Sequence, residues 1–232
     1  MKDTTVFVAL DVSNASEAIK LVKKLKHTNA GFKIGKELFT SEGPDIVKAV
    51  VDTGKKVFLD LKFHDIPATV ARAASAAASL GVHMFNVHAS GGFEMMRKTR
   101  EQLDSTDNPP LVVAVTVLTS MNENDLKDIG VHNKPSEQVV KLAKLAEKSG
   151  MDGVVASPLE ISLIRENTNS DFQIVTPGIR PEFSLKNDQK RTATPLQAVK
   201  NGTSCLVIGR PVRLADDPAA AYEKIIGEIH SG

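Results

Sequence analysis

Residues 59–67, LDLKFHDIP, place two aspartates, a lysine and a histidine directly after an apolar run. Asp60 and Lys62 are two residues apart, so in a β-strand their side chains share one face, and Asp65 follows three residues later. Charges on a largely buried strand are costly unless they are paired, and pairing alone rarely stabilises a fold. The stretch is therefore predicted to perform chemistry, with a scaffold salt bridge as the alternative. The opposite face would pack beneath helices through Val57, Leu59, Leu61 and Phe63.

The chemistry follows from the charge of Lys62. A carboxylate on each side, from Asp60 and Asp65, favours the ammonium form of this lysine. A Schiff-base lysine needs the neutral amine instead. Lys62 is therefore predicted to stabilise a developing carbanion and then to protonate it, while Asp60 positions the ammonium and presses against an anionic substrate group. The ammonium also argues against a divalent cation between the aspartates, so no metal site is predicted.

These residues need a scaffold that brings strand ends together. Eight short apolar runs alternate with helical or connecting segments, which predicts an α/β fold, a single closed (β/α)8 TIM barrel over residues 1–232. A doubly wound open sheet is the alternative. The predicted strands are Thr5–Asp11, Gly31–Gly35, Lys56–Lys62, Met84–His88, Leu111–Leu118, Gly153–Ser157, Gln173–Thr176 and Cys205–Ile208. The clearest predicted helices are Ser16–Lys26, Pro67–Leu80, Ser136–Lys148 and Pro218–Ile229.

Polar side chains collect near the carboxyl ends of the predicted strands, where barrel enzymes build their active sites. Lys33 lies between the glycines of GFKIG, which allow close backbone approach. The simpler alternatives are a helix cap for Asp11, a surface position for Lys33, and roles outside the chemistry for His64 and His88. The full set is Asp11, Lys33, Asp60 with Lys62, His88, Thr119, Thr176 and Arg210.

A phosphate site is predicted after the last strand. Barrel phosphate sites commonly use the loops after strands seven and eight. Backbone N–H groups at Gly209 and the guanidinium of Arg210 would suit such an anion. Residues 180–191, RPEFSLKNDQKR, form the longest polar connection, and their length and charge predict a mobile surface loop after strand seven.

The overall composition narrows the class of protein. A net charge of +1, one tyrosine and no tryptophan give no basis for binding nucleic acid or an anionic membrane. The single Cys205 can form no intrachain disulfide and is predicted to be a small core residue. The first residues lack a signal-peptide layout and no apolar run is long enough to span a bilayer, which predicts a cytoplasmic protein.

Residues 60–70, DLKFHDIPATV, resemble the signature of the orotidine 5'-phosphate decarboxylases. The resemblance implies removal of the C6 carboxylate of orotidine 5'-phosphate to give UMP and carbon dioxide in pyrimidine biosynthesis. It also implies a homodimer with shared active sites and neither a metal nor an organic cofactor. Further matching motifs are VALDV at 8–12, FKIG at 32–35, VTVLTSM at 115–121, TPGIR at 176–180, NDQKR at 187–191 and IGRPV at 208–212.

The same resemblance implies a role for each matching residue. The catalytic residues would be Lys33, Asp60, Lys62 and Asp65. Asp65 and Thr69 would reach into the neighbouring subunit's site, and Thr119 would contact the pyrimidine. The residues that would bind the rest of the substrate or close the loop over its phosphate are Asp11 and Lys33 at the ribose, Asp60, Pro177, Arg180, Gln189, Gly209 and Arg210.

Two other functions fit the pattern less fully. A sugar-phosphate lyase on a related barrel could share the Asp-x-Lys-x-x-Asp spacing, but it would use Mg²⁺ and lose activity in EDTA. A non-catalytic nucleotide-binding module would bind UMP without turnover, and it leaves the charged array unexplained.

Overall fold

The computed structural model describes residues 4–184 and 193–231. Eight parallel strands form a closed barrel in chain order, and the pairing of the first strand with the last excludes an open sheet. The predicted (β/α)8 barrel is therefore confirmed. The strands are β1 (Thr5–Ala9), β2 (Gly31–Gly35), β3 (Val57–Phe63), β4 (Met84–His88), β5 (Leu111–Val115), β6 (Gly153–Val155), β7 (Gln173–Thr176) and β8 (Cys205–Ile208).

Helices surround the strands, and the sequence accounts for where several of them begin. Proline occupies the first turn of the helices that start at Pro67, Pro135 and Pro218, where its missing N–H costs nothing. The helices are α1 (Ala15–Lys24), α2 (Lys36–Glu42), α3 (Pro44–Val51), α4 (Pro67–Ser79), α5 (Phe93–Leu103), α6 (Glu123–Asp128), α7 (Pro135–Lys148), α8 (Ile161–Asn167), α9 (Pro195–Lys200), α10 (Arg210–Arg213) and α11 (Pro218–His230).

Strand alternation divides the apolar residues into two layers. One set of side chains fills the barrel interior, where the rings of Phe7 and Phe58 meet edge to face with centroids 5.8 Å apart. The other set packs against the helices and includes Val57, Leu59, Leu61 and Phe63, as the period of two predicts. Cys205 belongs to the interior layer, and burial raises the pKa of its thiol to about 12.

Several predicted strands extend too far at their carboxyl ends. β1 ends at Ala9 rather than Asp11, β5 at Val115 rather than Leu118, and β6 at Val155 rather than Ser157. β3 covers Val57–Phe63, one residue later than predicted at both ends. The physical reason is that the chain leaves the hydrogen-bonded ladder where it begins to build the barrel mouth. None of the helices in the described ranges is both long and apolar enough to cross a bilayer.

Candidate active site

Four side chains of alternating charge form a row across the mouth of the barrel. Lys33 Nζ lies 3.0 Å from Asp11 Oδ1 and 3.5 Å from Asp60 Oδ2. Lys62 Nζ lies 2.5 Å from Asp60 Oδ1. The row Asp11–Lys33–Asp60–Lys62 thus joins residues after β1, on β2 and on β3, and only Asp11 is largely exposed. The prediction that Asp60 and Lys62 share a face is confirmed.

Glycines make room for this row. A Cβ atom on Gly35 would lie 3.0 Å from Lys33 Nζ and 3.7 Å from Asp11 Oδ1. A Cβ atom on Gly209 would lie 3.5 Å from Asp11 Oδ2, so the start of the β8–α10 segment adjoins the same end of the row. The predicted close approach around Lys33 therefore exists, on the side of Gly35.

Asp60 is held as an anion by its neighbours. Burial alone would raise the pKa of this carboxyl group. The positive charges of Lys33 and Lys62, with hydrogen bonds from Lys62 and Asn86, outweigh burial and hold the pKa of Asp60 below its usual value. An ionised Asp60 gives the Lys62 side chain a fixed anionic partner 2.5 Å from its Nζ.

The backbone of Lys62 departs from regular strand geometry. Its φ is +54°, in the left-handed region that side-chain-bearing residues rarely occupy. The pairing of β3 with β4 shifts between Leu59 and Phe63, where four steps along β3 match two along β4. The strand therefore bulges at Lys62, where the backbone and the pairing with β4 are irregular although the side chain keeps the predicted contact with Asp60.

A cavity of about 190 Å³ lies beside the inner half of the row. Its charged wall consists of Lys33, Asp60 and Lys62, and two further predicted substrate-binding residues, Thr119 and Pro177, line it as well. The remaining wall is apolar. The cavity thus combines a few fixed charges with an apolar surface suited to a flat ring. The apolar residues are Phe58, Val115, Val117, Leu118, Val155 and Val207.

Asp65 is not the second carboxylate of Lys62 within its own chain, so that prediction is wrong for a single chain. Its side chain is exposed and accepts a hydrogen bond from the N–H of Ile66 at 2.6 Å, and no ion pair joins it to Lys62 within the described ranges. Thr69 lies in the first turn of α4 and is partly buried.

Three of the residues predicted to bind phosphate lie in the segments that follow β7 and β8. Gly209 precedes α10, which exposed Arg210 begins. Arg180 follows β7, and its backbone N–H donates to the carbonyl of Ala193 at 3.0 Å. Gln189 and most of the loop predicted at 180–191 lie outside the described residues.

Two histidines lie near the row but are not members of it. The rings of His64 and His88 contact each other with centroids 5.4 Å apart and planes tilted by 32°. Burial, the neighbouring His64 and the charge of Lys62 lower the pKa of His88 to about 4, so its ring is neutral near pH 7. Thr176 ends β7, as predicted, but its side chain is completely buried and its hydroxyl pairs with that of Thr203, so it is not part of the charged row.

The comparisons with known proteins point to one family. The sequence model of the orotidine 5'-phosphate decarboxylase / HUMPS family matches residues 4–225. A protein named orotidine 5'-phosphate decarboxylase from Geobacter metallireducens is 53% identical over 230 residues, which cover 98% of this chain and 96% of the relative. This chain belongs to that family.

Other members of the orotidine 5'-phosphate decarboxylase family agree in length and fold. The protein of that name from Idiomarina loihiensis is 50% identical over 224 residues, which cover 97% of both chains. The crystal structure of the decarboxylase from Lactobacillus acidophilus has a TM-score of 0.89 and 42% identity, and covers 99% of this chain and 100% of that one. The match therefore extends over the whole barrel.

One residue of the site was missed by reasoning from sequence. Asn86 lies on β4, is 1% exposed, and contacts both Asp60 and Lys62. A signal for it existed, because an amide in the middle of the apolar strand MFNVH requires hydrogen-bond partners. The sequence alone did not say which partners these were.

Proposed function

We propose that this protein removes the C6 carboxylate of orotidine 5'-phosphate, with Lys62 stabilising and protonating the carbon that is left. Membership of the decarboxylase family and relatives at 50–53% identity support the overall reaction. The observation that carries the proposed mechanism is the row Asp11–Lys33–Asp60–Lys62 at the rim of an otherwise apolar cavity.

The proposed substrate orientation follows the chemistry of the walls. The pyrimidine would occupy the cavity next to Thr119 and Pro177, with C6 facing Lys62. The ribose hydroxyls would meet Asp11 and Lys33 at the outer end of the row. The phosphate would lie beyond, toward Arg210. This orientation assigns the apolar part of the site to the ring and the exposed charges to the polar end of the nucleotide.

The proposed step balances without a redox partner. The bond between C6 and the carboxylate breaks, carbon dioxide leaves, and the electron pair stays on C6. The ammonium of Lys62 stabilises this carbanion because its charge is already in place when negative charge develops. Lys62 then transfers a proton to C6 to form UMP and regains one from solvent.

Asp60 and Lys33 would prepare Lys62 for this task. Asp60 is anionic and lies 2.5 Å from Lys62 Nζ, so it fixes the ammonium in place. Lys33 occupies the other side of Asp60 and limits the cost of burying that carboxylate. The substrate's own carboxylate, placed near anionic Asp60, would be repelled until it leaves as neutral carbon dioxide.

Loss of orotidine 5'-phosphate absorbance in the presence of EDTA tests the reaction with purified protein. Lys62→Ala should lower kcat by at least about 10²–10³, the loss typical for one preorganised electrostatic donor. Lys23→Ala, which removes an exposed lysine from α1, is the matched control and should retain full activity. Retention of most of kcat by Lys62→Ala would reject the assigned role, and dependence on Mg²⁺ would favour the sugar-phosphate lyase.

The proposed active unit is a homodimer that shares its sites. The exposed position of Asp65 next to the mouth, with Thr69 on the same edge, supports this arrangement, since neither completes the row of its own chain. Asp65 of one chain would then supply the second carboxylate for Lys62 of the other.

A further inference from the structure

Asn86 forms a hydrogen-bonded bridge between the two central residues of the charged row. Its amide Nδ2 donates to Asp60 Oδ1 at 2.7 Å. Its carbonyl Oδ1 accepts the backbone N–H of Lys62, also at 2.7 Å. Asp60 Oδ1 in turn receives Lys62 Nζ at 2.5 Å. These three contacts close a ring of Asn86, Asp60 and Lys62.

The orientation of the Asn86 amide is determined by chemistry. A backbone N–H can only donate, so the Asn86 atom facing Lys62 must be the carbonyl oxygen. The amide nitrogen then necessarily faces Asp60, which is held as an anion and can only accept. Asn86 is 1% exposed, so water cannot readily replace either contact. An asparagine thus matches both partners at once.

The contact to Lys62 falls where the backbone is least favourable. Lys62 has a φ of +54°, a backbone conformation that is sterically unfavourable for any residue with a Cβ atom. The bulge that produces this conformation has interrupted the regular β3–β4 ladder, so the N–H of Lys62 bonds to a side chain instead of a neighbouring strand. Asn86 therefore supplies the hydrogen bond that the bulge removes from the ladder.

We propose that Asn86 is a positioning residue that holds the left-handed backbone of Lys62 and the carboxylate of Asp60 in one geometry, so that the Lys62 ammonium is aimed into the cavity. This inference rests on the proposed decarboxylation and adds to it a residue that is not among those lining the cavity. Without the bridge, β3 could relax toward a regular strand, and Lys62 Nζ would leave its place.

The charged groups around Asp60 come from several elements. Lys33 on β2 and Lys62 on β3 face its two oxygens. Asp11, after β1, lies on the far side of Lys33. The charge of Asp60 also acts on His88 of β4, whose pKa it raises in part. Replacing Asn86 removes its own bond to Asp60 Oδ1 directly and, on this proposal, also displaces Lys62 Nζ, whereas Lys33 and Asp11 are left in place. A shift in the ionisation of Asp60 in such a variant would therefore report the loss of the bridge.

Asn86→Leu tests the proposal because leucine has a similar size and cannot form either hydrogen bond. Measured with orotidine 5'-phosphate, kcat should fall at least about tenfold, the usual range for a bond to a charged group, while KM changes little. The acid limb of the kcat/KM profile should move to higher pH, because the bond that favours ionised Asp60 has gone. A purely structural role would move neither the limb nor kcat relative to KM.

Thr99→Val is the matched control. Thr99 is fully buried on α5 and its hydroxyl donates to the carbonyl of Met95, so this variant also loses a buried hydrogen bond, away from the site. It should lower thermal stability and leave kcat and the acid limb unchanged. If Asn86→Leu does not fold, Asn86→Ala removes the same two bonds without added bulk and is expected to show the same changes below its melting temperature.

The outcomes separate this inference from the proposed function. Wild-type turnover with unchanged kcat and acid limb in the Asn86 variants would overturn the positioning role, whatever their stability. Absence of wild-type turnover would instead reject the decarboxylation. In that case a crystal structure of Asn86→Leu still decides the inference: a positive φ at Lys62 with its Asp60 contact intact overturns the bridge, whereas a relaxed strand supports it.

Discussion

At the residue scale, the site is a compromise between function and local stability. Lys62 occupies a backbone region that favours glycine, and Asp60 is an anion in a largely buried place. Each is tolerated because a neighbour offsets its cost, Asn86 for the backbone and two lysines for the carboxylate. Such locally unfavourable features concentrate at functional sites.

The strain at Lys62 predicts an order of stability between two variants. Lys62→Gly and Lys62→Ala both remove the ammonium, but only glycine adopts a φ of +54° without a steric penalty. After allowing for the greater freedom of glycine in the unfolded chain, Lys62→Gly should be more stable than Lys62→Ala by about 1 kcal/mol. Urea unfolding of the two proteins measures the difference. An alanine variant as stable as the glycine variant would contradict the left-handed conformation.

The lowered pKa of His88 leads us to expect that the stability of the protein depends on pH. Its pKa is about 4 in the folded chain against 6.5 as the ordinary value, so the unfolded chain binds the proton more readily between these limits. Stability therefore increases as pH rises from about 4 to 6.5 and is lost as pH falls through this window. Since the ring is only partly buried, we expect the loss in the free energy of unfolding across this window to be about 1 kcal/mol.

His88→Gln should remove that contribution. The fall in the free energy of unfolding between pH 7 and pH 5 should be smaller in this variant than in the wild type. His132→Gln, which changes an exposed histidine away from the row, serves as the control and should follow the wild type. An unaltered pH dependence in His88→Gln would show that other groups control acid stability.

At the element scale, the carboxyl ends of different strands provide different parts of the site. β1, β2 and β3 supply the charged row, and the residues after β5 supply one wall of the cavity. Gly209, between β8 and α10, lies beside Asp11, and Arg210 follows it as the first residue of α10. Because each segment lies on its own strand, binding of the phosphate and chemistry at the ring should be separable by mutation.

Arg210→Ala tests that separation. It should lower kcat/KM for orotidine 5'-phosphate at least about tenfold, since a charged hydrogen bond to the phosphate is lost. The value for orotidine, which has no phosphate, should change far less. Part of the loss can fall on kcat if phosphate binding assists closure over the site.

Arg213→Ala provides the control for Arg210. Arg213 lies in the same short helix but lines a different groove, together with Val12, Glu17 and Lys20. Arg213→Ala should lower kcat/KM only slightly, and by the same factor for orotidine 5'-phosphate and for orotidine. Equal losses for the two substrates in Arg210→Ala would show that Arg210 does not recognise phosphate.

At the scale of the whole molecule, one chain forms the barrel and the row but leaves Asp65 outside it. Closure of the eight strands fixes the row, because β1 pairs with both β2 and β8. Asp65 follows the bulge and is exposed at the edge of the mouth. We therefore expect the complete site to require a second copy of the chain.

Mixing two inactive variants tests the shared site. Lys62→Ala and Asp65→Ala homodimers should each be nearly inactive. After reversible dissociation of equal amounts, random pairing makes about half of the dimers mixed, by the symmetry of a two-fold interface. One site of each mixed dimer then carries both changes and the other carries neither. Activity should return to roughly a quarter of the wild-type value.

The alternative arrangement gives a different result. If Asp65 acted within its own chain, every site in a mixed dimer would carry one lesion and mixing would restore nothing. Exchange of subunits must be confirmed with mass-tagged chains. Confirmed exchange without recovery of activity would rule out sharing, even for a dimeric protein.

The sequence by itself determined the barrel and the central pair. Alternating apolar runs and helical segments specify a (β/α)8 fold because burial imposes a period of two on strands and 3.6 on helices. The spacing of Asp60 and Lys62 likewise predicted their contact, since residues two apart on a strand share a face. These features depend on residues that are close together in the sequence, so the sequence alone predicts them.

The tertiary structure alone decided how distant residues meet. Lys33 reaches Asp11 across 22 residues and Asn86 reaches Asp60 across 26, and both contacts depend on which strands are adjacent and in what register. The bulge at Lys62 and the outward position of Asp65 also escaped the strand pattern. The physical reason is that periodicity records which face of an element is buried, whereas partner identity and backbone strain are set by the closed sheet.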